Sequence, residues 1–215
     1  MAKRNPRELR VLQGVADARK SFPHGMVPQG YPVKERRVPT DRDLSRVCHS
    51  HGVNFLEVSE QLMREFGCSE EKPLRVLDVG CGKSSFLHEL KNHFKDRIEV
   101  VGLDVVRLPD WVYFPRVTYR VGHANNLSAV FRGSAPFHLV VSTHGGMFYS
   151  KDVPGAVREA LKVTALNGHV YAHLPDGRYP FESTFTGPER AEVLKGQELR
   201  GQREISFHIV KKSET

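Results

Sequence analysis

From residue 74 onward the chain alternates short apolar runs with amphipathic stretches, and this alternation constrains the fold more than any other feature. The runs are LRVLDVG (74–80), IEVVGLDV (98–105), VTYRV (117–121), FHLVVST (137–143) and GHVYAHL (168–174). Helical spacing fills the gaps at about 84–94, 125–132 and 152–163. Strands that are apolar on almost every residue, separated by helices, predict an α/β fold. The expected sheet is doubly wound and mostly parallel, with helices on both faces. A last strand is expected at 204–212 (EISFHIVKK), after a short helix near 188–195.

The part before residue 74 reads differently. PRELRVLQGVADARKS (6–21) has helical spacing, and Pro23, Pro28, Pro32 and Pro39 then punctuate an irregular connection. Thr40, with Asp43 three residues on, signals the start of a short helix toward Cys48. A second start signal is Asn54 with Glu57 as a capping box and Val53 with Val58 as a staple, giving a helix over 54–66 stopped by Gly67. These features divide the chain into a basic, helical N-terminal extension (1–50), a candidate lid, and a main domain (51–215).

Charge is concentrated in that extension. Residues 1–46 carry 11 Lys or Arg against 5 Asp or Glu, so 11 − 5 = +6 of the chain's net +7 lies there. Such an arm attracts RNA, anionic lipid or an acidic substrate, or else is simply a solvated terminus. The three cysteines make no disulfide framework, and the basic start has no apolar segment behind it, so a cytoplasmic protein without a secretory signal is expected. No apolar stretch reaches bilayer length, and no membrane partner is expected. Cys48-His49-Ser50-His51, even with distant Cys68, matches no common zinc spacing, so no metal is expected.

The first run ends in VLDVGCGKSSFL (76–87). Its GKS suggests a phosphate loop, but the glycine such a loop needs five residues before Gly82 is Leu77. A dinucleotide fingerprint needs G-x-G-x-x-G, and its third glycine is replaced by Ser85. Asp78, two residues before Gly80, points elsewhere. An acid followed by G-x-G-x-G after an apolar strand resembles the first motif of class I S-adenosylmethionine-dependent methyltransferases, with Ser84 at the third glycine. The resemblance extends to Asp104, which ends the second strand of the same pattern, and covers about residues 50–175.

The resemblance implies a sheet of the seven-stranded type and S-adenosylmethionine as cofactor, held by Asp78, Gly80, Cys81, Gly82, Asp104, His123, Ala124 and Ser142. Asp104 is expected on the ribose hydroxyls, where a carboxylate offers two acceptors to a cis-diol. Gly122-His123-Ala124 stands where relatives show G-D-A near the adenine amino group. The fourth strand runs into Ser142-Thr143-His144-Gly145-Gly146-Met147-Phe148-Tyr149, not the N-P-P-Y or D-P-P-Y of base-amine methylating relatives. His144 and Tyr149 are the candidate catalytic residues, and Gly145-Gly146 is expected to leave room for substrate. The expected function is methyl transfer to an O or N nucleophile of a small molecule. Its alternatives are an RNA methyltransferase using the basic arm, and a non-catalytic cofactor-binding partner. The oligomeric state is left open.

Overall fold

The computed structural model describes residues 42–148, 150, 152–175, 191–194 and 204–212. The expected helix at 6–21, the proline-punctuated connection and Tyr149 lie outside the described residues.

Two helices precede the sheet: α1 (Leu44–His51) and α2 (Phe55–Glu65). Asp43 caps α1, accepting from the Arg46 amide at 2.8 Å, so the helix starts on Asp43 and not on Thr40. Asn54 caps α2 by accepting from the Leu56 amide, and Glu57 meets the Asn54 side chain, not its backbone amide. Gly67, at φ +59°, lies just beyond the end of α2.

The sheet is built from β1 (Leu74–Val79), β2 (Ile98–Asp104), β3 (Thr118–Val121), β4 (Phe137–Ser142) and β5 (Thr164–Pro175). These strands are parallel in the order β3-β2-β1-β4-β5. A sixth strand, β7 (Glu204–Lys211), pairs antiparallel with β5, placing His173 opposite Ser206. Beyond it, β6 (Ala191–Leu194) pairs with β7. This corrects the helix expected at 188–195: the local Ala-Glu-Leu composition favours helix, but the free edge of β7 offers a backbone ladder that takes precedence.

Alternation along each strand fills two cores. Leu74, Val76, Ile98, Val100, Leu139 and Val141 face α1, α2 and α3 (Ser85–Phe94), which contribute Val47, Phe55, Leu62, Phe86, Leu90 and Phe94. Leu77, Val79, Val101, Leu103, Val140 and Val170 face α4 (Leu127–Val130) and α5 (Val153–Val163). Each large side chain so buried contributes about 1.5–3 kcal/mol. The chain winds outward from β1 through β2 to β3, then returns to β4 on the other side. The switch point therefore lies between β1 and β4, where an open sheet of this kind places its ligand.

Candidate functional site

At the end of β1 the backbone turns sharply. Gly80 has φ +83° and Gly82 φ +53°, the region in which glycine escapes the Cβ penalty. The Gly80 and Cys81 amides both donate to Leu103 O, at 2.7 and 3.0 Å. The Gly82 amide donates to Asp104 Oδ2 at 3.0 Å, and Asp104 Oδ1 accepts from the Val105 amide at 2.7 Å. Asp104 thus faces the bend, tying the end of β2 to the glycines. Trp111 donates from Nε1 to Gly82 O at 2.9 Å and stacks on Tyr119 with ring centroids 4.3 Å apart. Ser84, at the third-glycine position, has φ +73°, which is the physical reason that position favours glycine.

The two acids and the cysteine of this pocket have distinct roles. Asp78 is buried, and its carboxyl is pushed up to about 7, by burial first and then by the Asp104 charge; the Arg42 guanidinium opposes the rise. Cys81 packs against β2: a Cβ on Gly102 would lie 2.8 Å from its Sγ. Burial, reinforced by the Asp104 and Asp78 charges, raises the Cys81 thiol well above its ordinary range, so it packs the wall as a neutral group and only its backbone borders the bend. Arg42, which no motif flagged, donates from its guanidinium to Gly80 O, and its own carbonyl accepts from the Phe86 amide at 2.9 Å.

The loop after β4 closes the other side. Ser142 donates to Val79 O at 3.0 Å and accepts from the Met147 amide at 3.4 Å, so its hydroxyl staples β4 to β1. The Gly146 amide donates to Val79 O at 3.2 Å. A Cβ on Gly80 would lie 2.1 Å from Gly146 N, and one on Gly145 would lie 2.5 Å from Val79 O. These glycines do not leave room for a substrate, as their sequence suggested; they let two backbones cross in contact. His123 is buried, its Nδ1 accepting from the Asn125 amide at 3.2 Å, and burial lowers its pKa. Ala124 is within 3.4 Å of where a Gly146 Cβ would stand. The Gly122 amide donates to Asp104 O at 2.9 Å, so the β2, β3 and β4 ends converge on one place.

His144 sits at φ +46° in this loop, half-buried, with its ring edge-to-face on His173 of β5 at 3.9 Å between centroids. His51, the last residue of the Cys48-His49-Ser50-His51 stretch, lies buried beside them. Its Nδ1 is 2.7 Å from Ser206 Oγ and its Nε2 is 2.8 Å from Thr143 Oγ1. Burial, with His173, His144 and Arg42 nearby, drives its pKa down to about 3. Cys48 Sγ instead accepts from the Phe55 amide at 3.4 Å. Among the described residues no group of three His, Cys, Asp or Glu is arranged to hold a metal ion. His51, His173 and Ser206 were not legible as site residues, because no local spacing links them.

Sheet order, switch point and the acid–glycine bend together define the class I S-adenosylmethionine-dependent methyltransferase fold, and comparison with solved structures agrees. The chain is similar to a 1,6-didemethyltoxoflavin-N1-methyltransferase of Burkholderia thailandensis, solved with 1,6-didemethyltoxoflavin and S-adenosylhomocysteine bound. The TM-score is 0.55 at 13% identity, over 99% of this chain and 93% of that one. It is also similar to the CurJ carbon methyltransferase, with a TM-score of 0.58 at 11% identity over 96% of this chain and 67% of that one. No protein-family model and no curated protein sequence matches the chain.

Proposed function

We propose that the chain is an S-adenosylmethionine-dependent methyltransferase acting on an O or N nucleophile, most readily that of a small molecule. The observation that carries this reading is the Gly82 amide bond to Asp104 Oδ2, which fixes a bare backbone bend against the acid ending β2 at the sheet's switch point. The residues fit the cofactor. Asp78 is a buried carboxyl at the end of β1 and suits a cationic group. Asp104, at the end of β2 beside the bend, offers a carboxylate, the group that suits a ribose cis-diol. Gly80, Cys81 and Gly82 border the ligand with backbone, while His123, Ala124 and Ser142 complete the rim.

When bound, the cofactor supplies an electrophilic methyl on a sulfonium. The chain's own contribution is to hold the acceptor in line with that methyl and to exclude water, which accounts for most of the rate in such transfers. His144 accepts the proton leaving the acceptor's O–H or N–H, and Tyr149 is its sequence neighbour for the same task. The small-molecule reading is supported by α1, which lays His51 across the ends of β4, β5 and β7. A basic arm at residues 1–46 favours RNA as the second reading. Calorimetry with S-adenosylmethionine and its demethylated product tests the function: micromolar-range binding that Asp104→Ala abolishes supports it, and no binding by the wild type ends it. Salt-dependent RNA affinity would transfer the assignment to the second reading.

A further inference from the structure

The acceptor end of the site is closed by a hydrogen-bonded bridge that spans most of the chain's length. His51 at the end of α1 reaches Ser206 on β7 through Nδ1 and Thr143, just past β4, through Nε2. All three are nearly inaccessible to solvent. A neutral imidazole has one donor and one acceptor nitrogen, and hydroxyls on both sides satisfy either tautomer. His51 is kept neutral by burial and by the neighbouring His173, His144 and Arg42. The ring also meets Phe55 and Tyr171 edge-on, at 5.6 and 6.0 Å, so it has no freedom to swing away.

The consequence falls on His144. That residue occupies φ +46°, a conformation non-glycine residues adopt only when their surroundings hold them there. Its preceding residue, Thr143, is the one His51 grips. On the far side its ring abuts His173, whose strand partner is Ser206. We propose that His51 is a positioning residue for His144: by holding Thr143 against Ser206 it sets the strained turn that presents the His144 ring to the acceptor. This rests on the methyltransferase reading for its purpose but not for its geometry.

Shape-matched variants of the full-length protein test it. Gln at position 51 reaches where Nε2 lies and keeps the Thr143 contact; Asn reaches only as far as Nδ1 and keeps Ser206. His51→Asn and Thr143→Val are expected to speed amide exchange at 144–147 about tenfold while leaving β2 amides unchanged, and His51→Gln to stay within about twofold of wild type. With an acceptor the wild type methylates, kcat of His51→Asn should fall about tenfold with the cofactor KM unmoved. Equal behaviour of Asn and Gln, or faster exchange everywhere by one factor, would overturn the proposal. Wild-type calorimetry with S-adenosylmethionine separates the two ideas. Absent binding ends the methyltransferase reading and leaves the exchange result to judge His51; normal binding with unaltered exchange sinks only the role of His51.

Discussion

The two sides of the cleft are built by opposite means. On the proposed cofactor side, Asp78 to Ser84 form one continuous bend, and its long-range anchor, Asp104, is only 22 residues from Gly82. On the proposed acceptor side, His51 meets Thr143 across 92 residues and Ser206 across 155. Their electrostatics are opposite too. The bend buries carboxylates, lifting Asp78 to about 7, whereas the other side buries imidazoles, lowering His51 to about 3. A bend encoded in adjacent residues tolerates change in its surroundings, while a bridge assembled from distant strands depends on the whole sheet being in register.

The largest expected effect falls where the two sides touch. Gly80→Ala adds a methyl that would lie 2.1 Å from Gly146 N, at φ +83°. Backbone cannot yield as a side chain does, so strain and overpacking together should cost about 3–5 kcal/mol and abolish cofactor binding. Gly67→Ala is the control: φ is also positive, but nothing lies within 4 Å, and a cost of about 1–2 kcal/mol is expected. Denaturant titration of the pair measures the contact between the loops, and equal losses would show that the crossing carries no weight.

The same division explains what the sequence disclosed. Strands β1, β2 and β4 were legible because both their faces are buried, so each apolar run is nearly unbroken, and the helices between them because one face is apolar at helical spacing; neither signal needs a distant partner. Asp78, Gly80, Gly82 and Asp104 were legible because their geometry is local to two strand ends. Gly145 and Gly146 misled, since a glycine pair signals close approach without saying whether ligand or backbone approaches. Arg42 and His51 were hidden for a physical reason: their roles arise only when α1, with Arg42 just ahead of it, packs over the sheet. The strand at Ala191–Leu194 was hidden likewise, because its pairing is decided by the edge of β7 and not by its own residues.

Stability against pH should expose the contrast in charge. The fold raises the Asp78 carboxyl from 3.8 to about 7, so its stabilising contribution is complete below pH 3.8 and lost as pH rises through 7. His51 runs the other way. Its pKa falls from 6.5 to about 3, so its contribution is complete above pH 6.5 and lost as pH falls through 3; His208, lowered to about 4 by burial and by His169, follows the same sign. Between pH 4 and 6.5 the slopes oppose each other. Asp78→Asn removes one of them, so its stability should climb across that range more steeply than the wild type's. The gain at pH 8 is at most about 4 kcal/mol, with cofactor affinity reduced at the same time. Parallel curves for the two proteins would mean that Asp78 is not held as described.

A smaller effect tests how the bend is held from outside. Trp111 is the chain's single tryptophan and donates to Gly82 O, so its emission reports on the loop directly. Adding S-adenosylmethionine should change that emission. Trp111→Phe keeps the stack on Tyr119 but loses one hydrogen bond, and should weaken cofactor binding about two- to tenfold. Unchanged affinity would leave the Gly82 turn dependent on Asp104 alone.

The smallest effect has the opposite sign to the first. Ser84 occupies φ +73° where glycine would sit without strain. Its side chain caps nothing on α3, and its hydroxyl, buried beside Cys81 and Tyr119, makes no hydrogen bond of normal geometry. Ser84→Gly therefore relieves about 1–2 kcal/mol of left-handed strain. Against this stands about 0.5–1 kcal/mol of added unfolded-state entropy. A net stabilisation of about 1 kcal/mol or less is expected, with cofactor affinity held or improved. Destabilisation by Ser84→Gly would show instead that the serine is kept for a contact its hydroxyl makes only when the site is filled.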